Sequence, residues 1–162
     1  MADGVDLKLY GRLRVNQFPA LFLALTKNCT GGRMGRSVGE MGLGTWKMEG
    51  ALGGGVTKAA AQAIWSAAYD GGVTLFDTAD GNGGGRSETI SGEFLKETPS
   101  AADEVFVATQ LGRRGDPGGW ENYTRAAVRQ HTEDSLQRLR KDCVDLTPLH
   151  CVPPEVLKQG GA

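Results

Sequence analysis

Apolar positions along the chain fall into short runs of β-formers that alternate with stretches of helical spacing. Residues 41–46 predict a first strand, ending in Gly44-Thr45-Trp46. Thr57 then stands as the N-cap of a helix through Tyr69, with Ala60, Ile64, Ala67 and Ala68 at spacings of three and four. Gly71 and Gly72 supply its stop signal. Residues 73–76 form a second apolar run bounded by glycine, with Asp77 directly after it. A glycine-rich loop leads to Ser87, the predicted N-cap of a second helix that buries Ile90, Phe94 and Leu95 and is closed by Pro99. Residues 105–109 are a third strand. A third helix starts at Asn122 or Thr124 and runs to Leu139, apolar at Val128, Leu136 and Leu139. A fourth strand, 144–149, ends at His150.

Short apolar strands alternating with helices specify an α/β fold with a parallel sheet. Polar residues recur at the predicted strand ends: Thr45, Asp77, Gln110 and His150. In a (β/α)₈ barrel that end of every strand faces the active site. Asp77 is therefore a candidate for chemistry, with a simple turn cap as the alternative. Trp46 is a pocket wall or a packing residue. Arg113 and Arg114, just after the third strand, hold an anionic substrate or a cofactor phosphate, or merely sit on a solvated loop. His131, beside Glu133 and Asp134, reads as a surface residue. The loop at 81–86 follows a strand and precedes a helix but fails G-x-G-x-x-G at its last position, which weakens a dinucleotide-binding doubly wound alternative.

Composition narrows the classes. A chain of 162 residues, 40% hydrophobic and with net charge -1, is expected to be a globular protein with one core and no nucleic-acid partner. Residues 1–32 read as a poorly defined extension and 33–162 as the domain. The apolar run 18–25 is far shorter than the roughly 20 residues that span a bilayer. Asp3 and Asp6 spoil a signal-type leader, so no membrane partner and a cytoplasmic location are expected. An odd number of cysteines, 3, without CxxC points to free thiols, and 2 histidines without ligand spacing argue against a metal site.

The motifs Met41-Gly-Leu-Gly-Thr-Trp46, Leu75-Phe-Asp-Thr-Ala79, Gly85-Arg-Ser-Glu88 and Val105-Phe-Val-Ala-Thr109 occur in this order, followed by Ser135-Leu-Gln-Arg-Leu139, Asp145-Leu146 and His150. From about Met34 to Leu157 the chain resembles the aldo-keto reductase family. The resemblance implies a TIM-type barrel, of which only the first four strand-helix units are legible here, against eight units and typically about 250 residues for the whole fold. It implies NADP(H) as cofactor, a small carbonyl substrate, and catalysis by Asp, Tyr, Lys and His. The aspartate matches Asp77 and the histidine His150. Asn82 stands where the tyrosine is expected and Gln110 where the lysine is expected, so Asp77 is expected to lose its partner. Gly44, Thr45 and Asp77 are the implied cofactor contacts, Trp46 and His150 the implied substrate contacts. Pro148 conflicts with a central parallel strand. The expected function is NADP-dependent carbonyl reduction, impaired in this truncated chain. The alternatives are a non-catalytic binding module, a homodimer that closes the half-barrel, or a degenerate fragment.

Overall fold

A computed structural model of the chain describes residues 28–30, 37–49, 56–115 and 119–158. The expected extension 1–32, with the apolar run 18–25, lies almost wholly outside them. An antiparallel pair comes first, β1 (Asn28–Thr30) with β2 (Ser37–Gly39). The main sheet is parallel, in the order β3 (Gly42–Gly44), β4 (Leu75–Ala79), β5 (Phe106–Gln110). Its register aligns Gly44 with Asp77 and Asp77 with Ala108.

The first strand is shorter than 41–46. The chain leaves the sheet after Gly44 and turns through a 3-10 segment, Trp46–Glu49, with Met41 and Trp46 exposed. The second strand is shifted toward the C-terminus: it spans Leu75–Ala79, so Asp77 sits within it and not after it. The fourth segment touches β5 only through isolated bridges, Ala108 with Leu146 and Leu111 with Leu149. Pro148 explains the gap. Leu146 N and His150 N donate to Val107 O and Leu111 O, while the donor that would lie between them belongs to a residue without an N–H. The Pro148 carbonyl still accepts from Leu111 N at 2.9 Å, so the conflict costs one rung and not the pairing.

Two of the long helices begin where the sequence places them. Helix α1 (Lys58–Asp70) is capped by Thr57, whose hydroxyl accepts from Ala60 N. Its buried face is not the predicted one. Ala61 and Trp65 are buried, while Ile64 is 40% exposed. The indole decides the rotation, because it offers the most apolar area to bury. Trp65 stacks on Phe76 of β4 with ring centroids 4.2 Å apart, and packs against Phe94 at 5.3 Å. Each fully buried aromatic of this kind is worth about 1.5–3 kcal/mol.

Helix α2 (Arg86–Glu97) buries Ile90, Phe94 and Leu95 as expected. It ends at Glu97, just before Pro99, which also opens a short helix, α3 (Pro99–Glu104). Helix α4 (Arg125–Leu139) is capped by Thr124, whose hydroxyl accepts from Ala127 N, and follows a 3-10 turn, Trp120–Tyr123. A last short helix is α5 (Pro154–Lys158). Helices α2 and α4 cross in contact at Gly92. A Cβ there would lie 2.2 Å from Arg138 O and within 2.9 Å of the Leu139 backbone.

Gly92→Ala sets two effects against each other. Helix propensity gains about 1 kcal/mol, but the methyl meets backbone that cannot rotate away, and overpacking typically costs about 1–3 kcal/mol or more. A lower urea midpoint is expected; an unchanged or higher midpoint contradicts this close crossing.

Candidate active site

The segment 85–88 connects the strands to both long helices. Gly85 starts α2 in the left-handed conformation, at φ 90, and carries no side-chain cap. Ser87 is therefore not the predicted N-cap. It lies inside the first turn, fully buried, with its hydroxyl 2.6 Å from Thr45 Oγ1 and 2.9 Å from Thr78 Oγ1. One hydroxyl thus links the end of β3 to β4. Arg86 donates to Met48 O at 2.6 Å and Val56 O at 3.0 Å, holding the segment that follows β3. Glu88 is 0% exposed. Its carboxylate accepts from Thr109 Oγ1 on β5 and, at 2.6 Å, from Arg138 Nε on α4.

Above this base lies a cavity of about 690 Å³, lined by Trp46, Asn82, Arg113, Arg114, Arg138 and His150 together with the turn at Asp80 and Gly81. Asn82 is 7% exposed, and its backbone carbonyl accepts from Gly85 N and Ser87 N. The loop thus holds Asn82 at the cavity wall. His150 N donates to Leu111 O at 2.7 Å, and the Tyr123 hydroxyl donates to His150 O at 2.6 Å. The imidazole itself makes no hydrogen bond among the described residues, and its Nδ1 is buried. Burial, then the nearby Arg113 charge, hold the His150 pKa below its ordinary value against the pull of Asp80 and Asp77.

Asp77 is half-buried within β4. It does not lose its partner. Gln110 Nε2 donates to both carboxylate oxygens, at 3.0 and 2.9 Å, so the charge of the expected lysine is absent while the hydrogen bond is kept. At the end of β3, Gly44 is open, with nothing within 4 Å of where a Cβ would stand. The Thr45 side chain is 0% exposed, and its hydroxyl is engaged with Asp77 O and Ser87. Trp46 is 53% exposed at the rim, so of the two readings the wall fits and the packed core does not.

Two residues of the site were not singled out from sequence. Asp80 is 2% exposed. Its Oδ2 accepts from Arg114 Nε at 2.7 Å and from Gly112 N at 3.4 Å, and Arg114 Nη1 reaches Asp134 at 2.7 Å. His131 is buried, not on the surface, with Nδ1 3.6 Å from Asp80 Oδ2. Burial and then the Arg114 charge lower its pKa, so near neutral pH the imidazole is uncharged and packs as a polar core residue. The other missed residue is Tyr123. Its signal was an aromatic placed one residue before the Thr124 cap, where a residue packs against the helix start.

The chain is a partial parallel (β/α) barrel in which Asp77 and Gln110 pair on neighbouring strands and Asn82 and His150 line one cavity. The chain belongs to the aldo-keto reductase family: the profile of the Aldo/keto reductase family matches residues 40–157. The aldo-keto reductase YhdN of Bacillus subtilis (strain 168) is 35% identical over 128 residues, 75% of this chain and 37% of that protein. The holo form of aldo-keto reductase AKR11C1 from Bacillus halodurans superposes with a TM-score of 0.66 at 26% identity, over 77% of this chain and 40% of that one. An aldo-keto reductase from Klebsiella pneumoniae in complex with NADPH gives a TM-score of 0.64 at 23% identity, over 84% and 47%. The chain therefore spans less than half the length of these relatives. Among the described residues no helix is long and apolar enough to cross a membrane.

Both histidines have folded pKa values below the unfolded value of about 6.5. The unfolded chain therefore binds more protons across that window. Stability is fully present above about pH 6.5 and is lost as pH falls through the folded values. Histidine ring NMR is expected to show both titrating below about 6.5; a midpoint above that for either ring contradicts the burial described.

Proposed function

We propose that the chain carries the substrate-facing floor of an NADP-dependent carbonyl reductase site, with turnover impaired because its proton donor is replaced. The observation that carries this reading is that Asn82 and His150 line one cavity, while Asp77 keeps a hydrogen-bonded partner in Gln110. The residues present fit the reducing end of such a cofactor: a cavity of about 690 Å³ lined by the Asn82 amide and the His150 imidazole. Gly44 and Asp77 would border it, and Thr45 would contribute through its position and not its committed hydroxyl. When bound, the cofactor supplies hydride to the carbonyl carbon.

The chain's own residues then bind and polarise. Asn82 and neutral His150 donate hydrogen bonds to a carbonyl oxygen, but an asparagine amide does not release a proton near neutral pH. Gln110 keeps Asp77 oriented without the positive charge that would tune an acid nearby. Losing a general acid is worth about 10²–10⁴ in rate. The Klebsiella relative, described in complex with NADPH, supports the choice of cofactor. The exposed thiols Cys143 and Cys151 suit a reducing cytoplasm.

A second reading, a non-catalytic module that closes its barrel with a second copy, is favoured by one observation. Leu146 and Leu149, beside the last paired strand, are 39% and 48% exposed. Light scattering distinguishes it, since a monomer at working concentration removes it.

Titration with NADPH is expected to quench Trp46 with saturation below about 1 mM. Asn82→Tyr combined with Gln110→Lys is expected to raise NADPH-dependent reduction of 4-nitrobenzaldehyde about 10²–10⁴-fold. No saturable binding, or binding without gain in the double variant, overturns the reading.

A further inference from the structure

Three guanidinium groups line the cavity, and their surroundings differ. Arg114 is neutralised by Asp80 and Asp134, each at 2.7 Å. Arg138 is neutralised by Glu88 at 2.6 Å. Arg113 has no carboxylate partner among the described residues; its one side-chain contact is Nη1 to the Cys151 sulfur at 4.0 Å. An exposed arginine is ordinarily a solvated side chain whose backbone wanders with its loop. Arg113 is not in that situation. The buried Asp80 carboxylate accepts from Gly112 N on one side of it and from Arg114 Nε on the other. Its own carbonyl lies so close to Gly81 that a Cβ there would stand 2.4 Å away. The guanidinium is free while its backbone is pinned from both sides, the arrangement that lowers the ordering cost of binding.

Resting on the carbonyl-reduction reading, we infer that Arg113 anchors the carboxylate of an anionic carbonyl substrate, such as an oxo acid. The substrate's carbonyl faces Asn82 and His150 and its body lies along Trp46. Arg113 is placed for this: it lines the same cavity as Asn82, His150 and Trp46, and its charge reaches the His150 ring. The planar fork matches a carboxylate with two parallel hydrogen bonds. Trp46 gives the cavity an apolar wall. A cofactor phosphate presents the same oxyanion chemistry, so the experiment separates the two sources.

The probes are 4-acetylbenzoate and the neutral 4-methylacetophenone, with affinities read from Trp46 fluorescence and the His150 ring resonance. The wild-type chain is expected to bind the carboxylate about tenfold or more tightly than the neutral ketone. In Arg113→Gln the ratio falls to about one, Arg113→Lys keeps part of it, and Arg129→Gln, on the exposed side of α4, leaves it unchanged. No preference in the wild type, including no binding of either probe, overturns the inference, as does a preference that survives Arg113→Gln. If Arg113→Gln weakens NADPH binding and leaves the ratio intact, the anchor belongs to the cofactor and the inference also fails. NADPH binding without carboxylate preference removes this inference alone; an Arg113-dependent preference without NADPH binding removes the reductase reading and leaves the anion site standing.

Discussion

A carboxylate taken wholly out of water must be fully partnered, and Glu88 is 0% exposed. Its two partners come from different layers: Thr109 from the sheet and Arg138 from the neighbouring helix. Satisfying Glu88 therefore fixes where α4 lies against α2 and β5. The close crossing at Gly92 follows from the same contact, because Arg138 and Leu139 supply the backbone that meets it. Ser87, one residue earlier, links Thr45 and Thr78, so the first turn of α2 connects all three strands of the parallel sheet to a second layer of helix. The cavity stands on this turn. Asn82 is held by the amides of Gly85 and Ser87, which places the site's most informative residue under the control of the same few bonds.

The residues above that turn are held by a small set of hydrogen bonds. Asp77 retains a bidentate hydrogen-bonding partner in Gln110, and His150 is placed by its own amide and by Tyr123. Asn82 provides a donor without an ionisable proton. Among the three arginines that line the cavity, Arg114 and Arg138 are each matched to buried acid, and Arg113 has no carboxylate partner among the described residues.

The three strands of the parallel sheet and the three long helices were legible in the sequence because periodicity and caps are local: Thr57 and Thr124 start α1 and α4 as their side chains predict. The failures share a cause, which is that facing and pairing are decided by tertiary contacts. Ile64 pointed to one face of α1, but stacking of Trp65 on Phe76 set another. Ser87 has the chemistry of a cap, yet a left-handed Gly85 made the cap unnecessary and left the hydroxyl for the sheet. Asp77 and His150 could be found from motifs; Asp80 could not be ranked above any turn aspartate, because its partners Arg114 and His131 lie 34 and 51 positions away in the chain. Gln110 was expected to abandon Asp77 on grounds of charge, whereas an amide N–H suffices for the contact.

The dependence of the fold on Glu88 is open to a double-mutant cycle with Glu88→Gln and Arg138→Met, read by urea unfolding. Breaking a buried pair from one side costs about 3–5 kcal/mol, because the other charge is left unpaired. The account predicts that each single substitution is strongly destabilising, that the double variant loses clearly less than the sum, and that the coupling exceeds about 1 kcal/mol. Singles that cost little, or that add to within about 0.5 kcal/mol, contradict it.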